Sequence, residues 1–141
     1  MTTIHTTPTV WVALRSFNAS KALTERIQSF ADAYALTDLR QDSSRVMHAV
    51  GQHASAWLVV EADTPNVVEM QQLAARCVDA NDCFRCLVIG TESPEDWPEK
   101  SIHLPAHALS SSILDRLRLE SHALRIQSHR SRTVAALRHR P

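Results

Sequence analysis

Two acids, Glu61 and Asp63, stand at the end of the run "LVVEADTP", Leu58 to Pro65. An apolar, β-branched run that turns abruptly polar reads as a buried strand ending at a sheet edge. A carboxylate delivered there can hold a metal, accept a phosphoryl group or move a proton. Glu61 is the strand-end acid, and Asp63 lies two residues further on. Cys83-Phe84-Arg85-Cys86 is a C-x-x-C pair, and His103 and His107 form H-x-x-x-H. A zinc site would need two more ligands of matching spacing, and Cys77, His48 and His53 do not supply it. Cys86 begins an apolar strand, whereas a redox pair opens a helix. Both cysteines therefore read as structural. Pro65 and Pro105 punctuate the segments, and Pro105 breaks any helix that would bring the two histidines together.

The elements that would position these groups alternate along the chain. "TVWVAL", Thr9 to Leu14, reads as a first buried strand. A helix capped by Asn18 or Ser20 follows, with Leu23, Ile27, Phe30 and Tyr34 at helical spacing. Asp38 to Asp42 is a short polar candidate for the second strand, and Ser44 to Gln52 a brief helix. Ala56 to Val60 is the third strand. A helix opened by Pro65 or Asn66 carries Val67, Met70, Leu73, Ala74 and Cys77. Cys86 to Gly90 is the fourth strand and Ser101 to Pro105 the fifth. The last helix is capped by Ser110 to Ser112 and reaches to about Leu137. Strands alternating with amphipathic helices imply an α/β fold: a five-stranded parallel sheet with helices on both faces. Sites in such sheets gather beyond the carboxyl ends of the strands. Here those ends carry Leu14, Arg15, Glu61, Thr91 and Leu104.

Composition narrows the options. At 141 residues, 44% hydrophobic and 21% charged, the chain fits one globular domain, with residues 1–126 as the domain and 127–141 as a basic linker or the end of the last helix. The formal net charge is zero, which gives no global attraction to nucleic acid or anionic membrane. The opening "MTTIHTTPT" lacks a signal pattern, so a cytoplasmic location with reduced cysteines is expected. The two glycines, Gly51 and Gly90, exclude a glycine-rich phosphate loop.

Five βα units, an acid four residues before a proline after strand three, Thr91 after strand four and an x-Pro after strand five together resemble a response-regulator receiver domain. That resemblance implies an acidic pair after strand one for Mg²⁺, a phosphoacceptor Asp after strand three, a hydroxyl after strand four and a Lys before the last proline. Carried across, these roles fall on Leu14 and Arg15, Glu61, Thr91 and Leu104. Thr91 alone matches. Leu14 and Arg15 cannot ligate Mg²⁺, and phosphoryl transfer without metal and Lys lacks its charge stabilisation. Glu61 is thus expected to be either a fixed charge paired with Arg15 or a solvated strand-end acid.

The stretch "LVIGTESPEDWPEK", Leu87 to Lys100, is more specific. Its short "PEDWPE" insert stands where a receiver has its fourth helix. It is similar to the degenerate receiver-like domain of FleQ-type flagellar master regulators, which are sigma-54-dependent bacterial transcription activators. The resemblance implies a non-enzymatic regulatory module without cofactor or metal, acting on the ATPase domain of its regulator in flagellar or biofilm control. It implies no direct contact with nucleic acid or membrane. The alternatives are an atypical receiver still phosphorylated at Glu61 or Asp63, and a small-ligand sensor using the emptied pocket. Trp97 is expected to cover the sheet edge where the helix is missing. Trp97 and the stripe Ile113, Leu117 and Leu124 are also candidates for a homodimer interface, with the last helix contributing its first half. The arginine-rich tail, Arg125 to Arg140, reads as a solvated linker helix.

Overall fold

The computed structural model describes residues 5–91 and 93–138, with side chains through Gln127. The strands are β1 (Thr9–Ala13), β2 (Asp32–Ala35), β3 (Ala56–Glu61), β4 (Phe84–Ile89) and β5 (Ile102–Leu104). The helices are α1 (Phe17–Ile27), α2 (Leu39–Gln52), α3 (Val67–Ala80) and α4 (Ser110–Arg138). All strand pairs are parallel, in the order β2-β1-β3-β4-β5. This is the doubly wound, flavodoxin-like order that receivers share.

Alternation along the strands builds two cores. Val10, Val12, Trp57, Val59, Leu87 and Ile89 face α1 and α4. Trp11, Leu58, Val60, Cys86 and Val88 face α2 and α3. Because both faces are covered, β1, β3 and β4 read as continuous apolar runs. Where a receiver carries its fourth helix, this chain has a single 3-10 turn, Pro94–Asp96. Trp97, which follows it, is buried in the second core and so covers that end of the sheet, as its position suggested.

Two segments depart from the sequence reading. The second strand is Asp32–Ala35, not Asp38 to Asp42. Periodicity suggested that Phe30 and Tyr34 continue the first helix, but α1 ends at Ile27. The Asp32 N–H then donates to the Pro8 carbonyl and starts the pairing with β1. Tyr34 stacks on Trp11 with ring centroids 4.8 Å apart, which stabilises the strand geometry. The residues Asp38 to Asp42 instead cap and begin α2. Asp38 accepts from the Arg40 N–H at 3.0 Å. Asp42 Oδ2 accepts from the Thr37 N–H at 3.0 Å, the Thr37 hydroxyl at 3.2 Å and the Asp38 N–H at 3.2 Å.

Burial pushes the Asp42 carboxyl up, but these hydrogen bonds and the Arg45 guanidinium outweigh it and hold the carboxyl below its ordinary value. A depressed folded-state pKa adds stability above the unfolded value of 3.8, and that stability is lost as pH falls through the folded value. Asp42→Asn should therefore lose about 1–3 kcal/mol at neutral pH. The difference from the unaltered protein should shrink below about pH 4. Urea melts at pH 7 and pH 3 test this, and an equal loss at both would contradict it.

The last helix runs back along the sheet from the end of β5. Ile113, Leu114, Leu117 and Leu124 are buried against the first core. Trp97, Ile113, Leu117 and Leu124, expected as interface residues, are thus interior to the folded chain. An apolar stripe had to cover the sheet on this side, and the first half of α4 is the element that does so. The helix continues as far as Arg138, so residues 127–138 prolong α4. His139 and Arg140 lie outside the described residues.

Strand β5 pairs only with Leu87–Ile89 of β4 and leaves Phe84–Cys86 unpaired on that side. The Arg85 guanidinium folds back there, donating to the Asp82 carbonyl at 2.8 Å and the Phe84 carbonyl at 2.7 Å.

Candidate functional site

The carboxyl edge of the sheet is built by the loops that follow β1, β3, β4 and β5. The strand order reverses between β1 and β3, so their loops diverge to opposite faces and open a crevice there. The first loop is held from inside: the Leu14 N–H donates to Ser20 Oγ at 2.8 Å, and Ser16 caps α1. Leu14 is half-buried against the first core, so its side chain acts in packing rather than as a stand-in ligand.

Glu61 and Arg15 do meet, but through the backbone. The Arg15 N–H donates to Glu61 Oε1 at 3.1 Å. The Arg15 guanidinium instead lies 3.6 Å from Asp63 Oδ2, with both side chains well exposed (73% and 86%). A pair so exposed contributes little to stability. The position that would require a metal-binding carboxylate holds a cation, and both acids of the β3 loop are turned toward that residue. Sequence reasoning gave Asp63 little weight. It becomes Arg15's partner because the loop turns back at Ala62, whose carbonyl accepts the Thr64 N–H.

Thr91 also has a local structural task. Its Oγ1 accepts from the Ser93 N–H at 3.1 Å and shapes the turn into the Pro94–Asp96 segment. Gly90, just before it, has φ +75 and lies so near Ala106 that an added Cβ would stand 3.2 Å from the Ala106 Cβ. Both the left-handed backbone and the close approach call for glycine. The Gly90 N–H donates to the Leu104 carbonyl at 2.8 Å, while the Leu104 side chain packs on the first core. Leu104 therefore offers nothing in the role of a phosphate-binding lysine.

Leu14 and Arg15 line one cleft at this edge, and Thr91 lines another. Two clefts flank the β3–α3 loop. One, of about 240 Å³, lies at the β1/β3 crevice and includes Leu14, Arg15, Phe17, Leu36 and Met70. The other, of about 560 Å³, includes Asp63, Thr91, Ser93, Asp96 and Trp97. No group of three or more His, Cys, Asp and Glu side chains fit to hold a metal occurs among the described residues.

The cysteines do not form a reactive pair. Cys83 and Cys86 lie in opposite cores. Burial pushes the Cys77 thiol up to about 12 and the Cys86 thiol higher still, so both stay protonated. His103 and His107 are exposed. No helix among the described residues is long and apolar enough to cross a membrane. The chain matches no known protein family model, and no curated protein matches it.

Proposed function

We propose that the chain is a pseudo-receiver: a regulatory domain that acts through its surfaces and does not accept phosphate. The observation that carries this reading is the arrangement at the strand ends. Arg15 stands where a metal-binding acid is required, its N–H donates to Glu61, and its guanidinium faces Asp63. A cation placed there opposes Mg²⁺, and Mg²⁺ is what neutralises charge in phosphoryl transfer. The 3-10 turn in place of a fourth helix and the buried Trp97 support the FleQ-type assignment. On that assignment the domain sits in the bacterial cytoplasm, regulates the ATPase domain of a sigma-54-dependent activator of flagellar or biofilm genes, and is itself no enzyme.

Incubation with acetyl phosphate or beryllofluoride and Mg²⁺ tests the reading. Neither an added phosphoryl mass nor saturable NMR shifts at Glu61, Asp63 and Thr91 are expected. Stoichiometric modification of either acid would return the chain to the phosphorylated receivers. A small-ligand sensor is the second reading, favoured by the partly apolar crevice beside Phe17, Leu36 and Met70. At about 240 Å³ that crevice falls below the usual range for such sites, whereas the cleft of about 560 Å³ at Asp63, Thr91 and Trp97 falls within it.

A further inference from the structure

The zero net charge conceals a separation of charge along the chain. Residues 1–124 contain ten Lys and Arg against fifteen Asp and Glu, a net of −5. Residues 125–141 contain five Arg and no acid, a net of +5. The fold turns this separation into a spatial one. Helix α4 starts after β5, at the carboxyl edge, and runs toward the opposite edge. Gln127 already lines a groove with Asp82 and Phe84 at the amino end of β4. The helical backbone continues from there to Arg138, which adds roughly 16 Å at 1.5 Å per residue. The arginine-rich end is therefore directed away from the carboxyl edge of its own domain.

That edge is acidic. Asp63, Glu69, Glu95 and Asp96 are exposed there. Asp63 has its weak pair with Arg15, while Glu69, Glu95 and Asp96 make no ion pair among the described residues. Two exposed apolar side chains, Phe17 and Val68, stand at the same edge. On α4, exposed Leu119 and Ile126 lie seven residues apart, hence on one face, and Arg125 beside them is exposed as well. The two surfaces match in charge and in apolar character, yet a straight α4 cannot bring them together within one molecule.

We propose that the cationic end of α4 docks on the acidic carboxyl edge of a second copy of this chain. Such a contact joins two different surfaces of the chain. Each copy offers one end and one edge, so copies either add head to tail or exchange ends reciprocally as a two-fold pair. Pairing of two α4 ends with each other is opposed by their like charge. The surface used is the part of α4 beyond Leu124, and the preceding residues Ile113, Leu117 and Leu124 cover the sheet. This association requires nothing of the regulatory role proposed above.

Sedimentation of the full chain at low salt should show species larger than a monomer, whose share grows with concentration. They should dissociate near 1 M salt, where the screening length falls to about 3 Å. Two charge reversals locate the surfaces: Arg130→Glu with Arg132→Glu, and Glu95→Lys with Asp96→Lys. Each double variant alone should sediment as a monomer, with its circular dichroism unchanged. Mixed together, the two should associate again, because each supplies the complement the other has lost. An edge variant that associates as the unaltered chain does would overturn the proposal in favour of helix pairing between α4 ends. A chain that stays monomeric at high micromolar concentration and low salt would also overturn it. So would association that disappears on nuclease treatment, which would make a nucleic acid the occupant.

Discussion

Trp97→Ala is expected to lower the unfolding free energy by about 3–5 kcal/mol, the range for emptying a buried aromatic site. The loss should fall at the high end because a single 3-10 turn, Pro94–Asp96, stands where a fourth helix could close over the gap. A receiver has a full fourth helix between its last two strands, whereas here one turn and one indole cover that end of the sheet. With the indole removed, water reaches the core side of Cys86 and Val88, which belong to the same cluster. Urea unfolding followed by circular dichroism gives the number. Trp97→Phe, which keeps much of the ring, should recover a good part of it. A loss below about 1 kcal/mol would mean that the segment lies on the surface without sealing it.

Leu117→Ala should cost about 2–5 kcal/mol. Leu117 is fully buried within one chain, between α4 and the sheet. If it belongs to the core, the unfolding midpoint of the variant should not depend on protein concentration at high salt. Were it instead an interface residue, the variant would dissociate before unfolding, and its midpoint would rise with concentration. The experiment thus separates two roles that the same apolar stripe can take.

That ambiguity also marks how far the sequence could be read. β1, β3 and β4 were legible because each is buried on both faces and so runs apolar without interruption. β2 was not. "DAYA" has two exposed positions and no β-branched residue, and its strand state depends on pairing with β1 and on Tyr34 stacking against Trp11. The start of α2 was missed because Asp38 to Asp42 read as a short polar strand, whereas the Asp38 and Asp42 carboxylates accept backbone N–H groups and cap the helix. At the edge, the absence of metal ligands at Leu14 and Arg15 could be read directly from residue type. Which atom of Arg15 meets which acid could not, since that depends on the turn at Ala62 to Thr64. The charge separation was present in the sequence, but it acquired a direction only from the course of α4.

The short fifth strand has a further consequence. An unpaired run of strand backbone is a template onto which another chain can add, and Phe84–Cys86 would be such a run. Arg85 blunts it. Its guanidinium already occupies the Phe84 carbonyl that an incoming strand would need, and it places a positive charge at the opening. A long, flexible cation at this position acts as a gatekeeper against fibril growth. The truncated edge can therefore stay open without recruiting neighbouring chains into an extended sheet.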